Sequence, residues 1–551
     1  MARKTEDLGV LLVHGMGEQK PFEHLRITAR QMASFVAAAP GLVRLSVSDE
    51  VATSGKITLD ATFRRDGGDE RVRLHLHEAW WADLGISGGV LEHVKFWLWG
   101  LGQWAAQAVR TGDKTRNTEQ LMAVPRFGRQ ESTMDEPGLL HHLPARILLA
   151  GAALLATLTF FTWSAAKQLI SLLARRLPEP SLIFLFLGDV KIFERPGAPG
   201  KGSLLDPDMP MRATIRRRVV REVVAMASRR YDRWYMFAHS LGTVPAYNAL
   251  QETELALPNY LSKADWERLS ARFKTRSPFA PAGAHPTTER MMPRRPPWLD
   301  DADGIDRHRL FEHFAGFVTY GSPLDKFAAL WPRVVPLNLQ TAVFPMGSEW
   351  VNLHDPTDPV AARLDAFKVP ETPADSEVRH GTALVPKNFA CRASLIFGVA
   401  HVRYFRPRRR NSKSMPAAIV EALISGERLT LSSAARRAAI SQGEAWARVL
   451  LATVELALLG AALTVAAAAL LIAIGKALPA RFSEPAEQAI AAISPDLLAM
   501  LQAGGRDALA AASVVVLAVA TAMIVAAGLL RLILDFIQLD RPVRASAPGR
   551  R

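Results

Sequence analysis

A single cysteine, Cys391, stands in a chain of 551 residues. An intrachain disulfide is therefore excluded, nothing argues for an oxidising compartment, and a cytoplasmic setting is expected. The opening MARKTEDLGVLLVHG has charges followed by only a short apolar run and no small-residue cleavage site, so it does not read as a secretory signal. No G-x-x-x-x-G-K-[ST] phosphate loop occurs, and His75 and His77, two apart on a predicted strand, have no acidic or thiol partner in view. They read as one solvated face, so neither a metal nor a cofactor is expected. There is no fixed-period internal repeat.

What is abundant is positive charge and apolar length. The formal net charge is +14, which suits an acidic surface, either nucleic acid or anionic lipid. Three uncharged runs, 147–166, 456–475 and 508–530, each reach the roughly 20 residues that span a bilayer core. Arg146, Lys167, Arg175 and Arg176 flank the first; Arg436, Arg437 and Arg448 precede the second; Arg531, Arg541 and Arg544 follow the third. The loop at 476–507 is roughly neutral to acidic, so the last two runs read as a transmembrane hairpin with both ends in the cytoplasm. These arginines lie beside apolar runs, without the exposed aromatics that make stacking platforms, so an anionic cell inner membrane is the expected partner and nucleic acid is not.

The first run raises a question of parity, because one sheet is expected to use strands from before residue 85 and after residue 180. An odd number of crossings would split it. The segment FWLWGLGQWAAQAV at 96–109, short and Trp-rich with Gln103 and Gln107, is the natural companion of 147–166 in a membrane-dipping helical pair.

Outside those runs, strands alternate with helices. LGVLLVHGMG at 8–17, RVRLHLHEAWWADL at 71–84, SLIFLFLGDV at 181–190, RWYMFA before Ser240, FAGFVTYG at 314–321, TAVFPMG at 341–347 and ASLIFGVA at 393–400 read as strands. Ile215, Val219, Val223 and Met226 recur at helical spacing within 213–231, and LGTVPAYNALQE reads as the helix after the central strand. The fold class is α/β, a mostly parallel sheet covered on both faces. Residues 274–302, rich in Pro, Arg and Ser, form an excursion near the site and a candidate lid.

The chemistry centres on WYMFAHSLGTVPAY at 234–247. A serine on a sharp strand-to-helix turn is lifted clear of the sheet and tolerates only small residues two positions to either side, here Ala238 and Gly242. Ala238 departs from the usual G-x-S-x-G, and the bland alternative for Ser240 is a helix cap. Acyl transfer also needs an oxyanion hole, a base and an orienting acid. The backbone N–H groups of Leu241 and of Met16, in VHGMG, are placed to hold an oxyanion, while His14 shapes that loop. Asp358 in WVNLHDPTDPV is the preferred acid, with Asp355 and Asp325 as alternatives. His401, directly after a predicted strand, is the preferred base over His380. Glu78, Asp83 and Asp189 read as structural.

Taken together, VHGMG, FAHSLGT, VTYGSPL, DPTDPV and AHVRYF resemble the α/β-hydrolase superfamily, especially intracellular serine lipases and phospholipases, over residues 8–405. The resemblance implies a Ser240, Asp358, His401 triad in that chain order. It divides the chain into an N-terminal part of the hydrolase domain at 1–85, an inserted membrane-associated helical segment at 86–178, the rest of the hydrolase domain at 179–425, and a C-terminal transmembrane hairpin with a basic tail at 426–551. The function expected is hydrolysis of an acyl ester of a membrane lipid, with an acyl-thioesterase or a non-catalytic membrane scaffold as the competing readings. The basic FRPRRRNSKS after His401 fits an anionic surface, or a plain solvated linker.

Overall fold

The computed structural model describes residues 5–84 and 211–451, apart from short segments at 16–19, 66–67, 277–294, 331–333, 336–342, 359, 366, 368–381, 395–398, 406–413 and 426–428. The apolar runs 147–166, 456–475 and 508–530, the segment 96–109, the predicted strand at 181–190, Asp189 and His380 lie outside the described residues. Among the described residues no helix is long and apolar enough to cross a membrane. The chain divides into two compact units, Met1–Met134 with Leu182–Ala445, and Asp135–Ser181 with Trp446–Arg551. The architecture below belongs to the first.

Eight strands form one sheet. In chain order they are β1 (Thr5–Val13), β2 (Leu42–Glu50), β3 (Lys56–Arg65), β4 (Gly68–Ala79), β5 (Arg233–His239), β8 (Phe314–Tyr320), β9 (Glu349–His354) and β10 (Pro386–Ala390); a separate two-stranded pair joins β6 (Lys274–Arg276) to β7 (Asp303–Ile305). The spatial order is β10-β9-β8-β5-β1-β4-β3-β2. All neighbours from β10 to β4 are parallel, and only β4/β3 and β3/β2 are antiparallel. Strands from before residue 85 and after residue 232 therefore share one sheet, which was the premise of the parity argument.

β1 shows why the sheet is buried on both sides. Its run LGVLLV sends Leu8, Val10 and Leu12 to one face and Leu11 and Val13 to the other, as the two-residue period of a strand demands. One face is covered by α1 (Glu23–Ala37), and the other by α2 (Met211–Ser228), α3 (Thr243–Gln251) and α4 (Lys263–Phe273); α5 (Met415–Ile424) and α6 (Leu431–Ala438) join α1 on the first face. Ile215, Val219, Val223 and Met226 of α2 are fully buried, as their spacing predicts. Ser262, Ser414 and Thr430 cap α4, α5 and α6 by accepting a backbone N–H of the first turn.

Two strand expectations are corrected. Residues 343–347 are not a strand: Pro345 has no N–H, Gly347 takes φ +95°, and the Ser348 N–H closes a turn on the Pro345 carbonyl, so the strand starts two residues past Gly347 as β9. Likewise the strand that pairs with β9 is β10, ahead of the predicted 393–400, of which 395–398 lie outside the described residues. The Ala393 and Ser394 N–H groups bond the Asp355 carboxylate (2.6 and 3.2 Å), which takes them from any ladder, and Val399–Val402 is a 3-10 turn. Residues 23–65 carry no element in the sequence reading, yet they form α1, β2 and β3.

Candidate active site

Parallel pairing in close register brings the C-terminal ends of the strands to one edge. Val13 pairs with Ala79 and with Ala238, His239 with Tyr320, Tyr320 with Leu353, and His354 with Ala390. Whatever follows those residues lies along that one edge, the usual ligand side of open α/β sheets.

Ser240 follows β5 on a sharp turn. Its φ is +52°, and among the described residues only Phe22 is another non-glycine with positive φ; such a conformation costs about 1 kcal/mol or more and is held by its surroundings. The turn is held from three sides. Thr243 Oγ1 donates to the Ser240 carbonyl (2.7 Å), and Ser322 Oγ donates to Thr243 Oγ1 (3.0 Å). At Gly242 a Cβ would lie 2.1 Å from the His14 carbonyl oxygen, so only glycine lets the elbow close on the end of β1. At Gly15 a Cβ would come within 2.7 Å of the Ser240 Cβ. Ala238, the departure from the usual motif, is fully buried in β5 between Val13 and Thr319.

His401 Nε2 stands 2.7 Å from Ser240 Oγ, and its Nδ1 stands 3.0 Å from Asp358 Oδ2 and 3.2 Å from Oδ1. An ionised carboxylate only accepts, so Nδ1 carries the proton and Nε2 presents its lone pair to the serine hydroxyl. Asp358 is buried, which would push its carboxyl up. Hydrogen bonding and charge from His401, with the Val360 N–H (2.9 Å) and the Tyr404 hydroxyl (2.8 Å), outweigh that and hold it below its ordinary value.

The alternative acids lie elsewhere. Asp355 is buried with its oxygens on Thr357 and on the Ala393 and Ser394 N–H groups, tying the loop after β9 to the loop after β10. Asp325 sits on the short helix Leu324–Leu330 beside Lys326 (3.6 Å), and burial raises its carboxyl. Leu241 follows Ser240 in the 3-10 turn leading into α3, whose N-terminal dipole favours an anion there. Met16 lies outside the described residues.

The remaining histidines are fixed otherwise. His14 donates from Nδ1 to the Gly15 carbonyl (2.6 Å), accepts the Trp81 N–H at Nε2 (3.0 Å) and stacks on the Trp81 ring; burial lowers it to about 4. It shapes its loop, as its place in the sequence predicts. His239 donates from Nε2 to the His401 carbonyl (2.8 Å), and burial, with the neighbouring His401, lowers it to about 3. His75 and His77 are not a solvated face. Parallel pairing of β1 and β4 sets Asp7 3.0 Å from His75 Nε2, and the Tyr231 hydroxyl beyond α2 meets His77 at 2.7 Å. Asp83 pairs with Arg218 of α2. Among the described residues no cluster of three or more His, Cys, Asp or Glu side chains is arranged to hold a metal ion.

Sequence reasoning missed His239, Gly15, Gly321 and Tyr404. Gly321, at φ +63°, packs on the His401 ring so closely that a Cβ would lie 3.2 Å from it. His239 and Gly321 lie within the motifs AHSLG and TYGSPL, but nothing local says what they touch. Searched against descriptions of known protein families, curated proteins and solved structures, the chain matches none.

Proposed function

We propose that this protein is a membrane-bound serine hydrolase of the α/β-hydrolase kind that cleaves an acyl ester of a membrane lipid. The observation that carries the catalytic part is the relay Ser240–His401–Asp358, whose members stand 161 and 43 positions apart in the chain yet meet at 2.7 and 3.0 Å. The positive φ of Ser240 and the parallel sheet beneath it support the same reading.

In this mechanism His401 Nε2 takes the proton of Ser240 Oγ as the oxygen attacks the ester carbonyl. The tetrahedral oxyanion is held by the Leu241 N–H, with Met16 as the second proposed donor. Asp358 keeps the proton on Nδ1 and stabilises the imidazolium. His401 then returns the proton to the departing alcohol, and a water activated by the same nitrogen releases the acid and regenerates Ser240.

The lipid part rests on the three long apolar runs with their basic flanks, and on residues 442–451, a helix leading toward the second run on which Trp446 and Leu450 are 69% and 65% exposed at i, i+4 spacing. The proposal carries with it a location at the cell inner membrane with the catalytic unit facing the cytoplasm.

The test is fluorophosphonate labelling of membranes holding the full chain, wild type against Ser240→Ala. Labelling that disappears in the variant supports an activated serine, and turnover of phospholipid or acylglycerol over acyl-thioester then supports the ester reading. An unlabelled wild type would overturn it in favour of a scaffold.

A further inference from the structure

Three residues beyond the base, the side chain of Tyr404 is buried beneath the relay. Its hydroxyl oxygen lies 2.9 Å from the backbone N–H of Asp355 and 2.8 Å from Asp358 Oδ2. Chemistry fixes the direction of both bonds. The amide of Asp355 can only donate, so the hydroxyl oxygen accepts there, and its single hydrogen is left for the Asp358 carboxylate.

We propose that Tyr404 is a positioning residue for the Ser240–His401–Asp358 relay: its hydroxyl, threaded between the Asp355 backbone and the Asp358 carboxylate, holds that carboxylate square to His401 Nδ1. The inference rests on the serine-hydrolase reading and adds to it a fourth member.

The geometry explains why the carboxylate needs the hydroxyl. Asp358 Oδ1 is fixed by the Val360 N–H at 2.9 Å, but Oδ2, the oxygen nearer His401, has Tyr404 as its other donor. Rotation about the terminal torsion of an aspartate is soft. Two donors, one on each oxygen, are what stop it.

The tyrosine is itself held. A Cβ at Gly321 would come within 3.1 Å of its ring, and the ring of Tyr320 lies 5.9 Å away. Asp355, whose amide anchors the hydroxyl, clamps Ala393 and Ser394 with its own carboxylate. Acid loop, base loop and tyrosine thus form one unit.

The titratable groups facing Tyr404 and Asp358 are His401, Asp355, Cys391, His239 and His354. A donor on a carboxylate spreads its charge and weakens its pull on the imidazolium. Removing the donor therefore leaves more charge on the Asp358 carboxylate to hold the imidazolium, and strengthening it does the reverse.

The experiment uses the full chain in membranes and follows fluorophosphonate labelling and p-nitrophenyl ester turnover from pH 5 to 9. In Tyr404→Phe, kcat is expected to fall about 10- to 100-fold with KM unchanged, and the acid limb of kcat/KM to move up by about half a pH unit. Replacing Tyr404 with a fluorinated tyrosine leaves the shape nearly intact and makes the phenol a stronger donor, so the limb moves down. This second variant decides the matter even if the first fails to fold. Labelling that depends on Ser240 but keeps its pH limb in both variants would overturn the role of Tyr404 alone; a wild type without Ser240-dependent labelling would overturn the hydrolase reading and this inference with it.

Discussion

The two ends of the parallel strands treat charge in opposite ways. At the N-terminal end, carboxylates are matched: Glu6 with Arg233 (2.6 Å), Asp7 with Arg73 (2.7 Å) and His75, and Glu349 with Lys387 (2.9 Å) and Ser432. At the C-terminal end stand histidines that burial keeps neutral. His14 and His354 are lowered to about 4, and His239 to about 3. What sets His401 apart is a carboxylate on one nitrogen and a serine hydroxyl on the other. One edge is stapled by ion pairs, and at the other, among the described residues, a single histidine is set to carry a proton between partners.

Glu78 sharpens the contrast. It is the next-to-last residue of β4, in register with Leu12 at the histidine-rich edge, and burial raises its carboxyl from 4.5 to about 7. Glu349, equally a strand residue but at the other edge, would also be raised by burial, yet Ser432 and Lys387 hold it below its ordinary value.

The comparison breaks first, and most heavily, at Asp358. If the protein is the proposed serine hydrolase, Asp358→Asn keeps the shape but lets His401 take the wrong tautomer, and kcat is expected to drop about 10⁴-fold in a turnover assay with little change in KM. An effect under tenfold would mean that the carboxylate is not the orienting group.

Next is Glu78→Gln, read by thermal unfolding against pH. A carboxyl raised in the folded state binds its proton there while the unfolded chain has released it, so wild-type stability falls as pH rises from about 4.5 through about 7. The loss is up to about 3 kcal/mol at pH 8. The glutamine variant loses that slope, and therefore gains on wild type at pH 8 but not at pH 4. A wild type whose stability is flat across this window would contradict the assignment.

Gly321→Ala puts a Cβ against the His401 and Tyr404 rings at a left-handed φ. On the same proposal a roughly 10- to 100-fold loss of kcat is expected, since displacing His401 by a fraction of an ångström is enough. Unchanged turnover would show that the base loop yields freely.

The smallest effect belongs to the stapled edge. Glu6→Gln removes a partly exposed pair, at a stability loss below about 1 kcal/mol and with activity unaltered. A change in kcat there would mean that the two edges are coupled.

Local pattern was legible wherever one residue's neighbours along the chain decide its fate. The unbroken apolar run of β1 announces a strand buried on both faces, the helical spacing of Ile215 to Met226 announces α2, and the small residues around Ser240 announce a tight elbow. The antiparallel pair β2 and β3 went unread although β3 carries the signal, with Ile57, Leu59, Ala61 and Phe63 buried in alternation with polar neighbours; β2 alternates as well, but its Val43 and Val47 are half exposed at the sheet edge, so its pattern marks no core face. β9 and β10 were misplaced by a few residues because apolar runs beside them, broken by Pro345 and Gly347 or drawn away by Asp355, look more like strands than the half-polar segments that pair.

Chain order and residue chemistry marked Ser240, His401 and a short choice of aspartates as candidates, because serine, histidine and aspartate are residue types that a sequence displays. The choice between Asp355 and Asp358 belonged to tertiary structure. The two stand three positions apart in one loop, and only the meeting of the β9 and β10 loops gives one of them to the backbone of Ala393 and Ser394 and the other to His401. Tyr404 and His239 acquire their roles in the same way: a hydrogen bond is a relation between atoms within about 3 Å, and spacing along a chain does not specify which distant atoms the fold will bring that close.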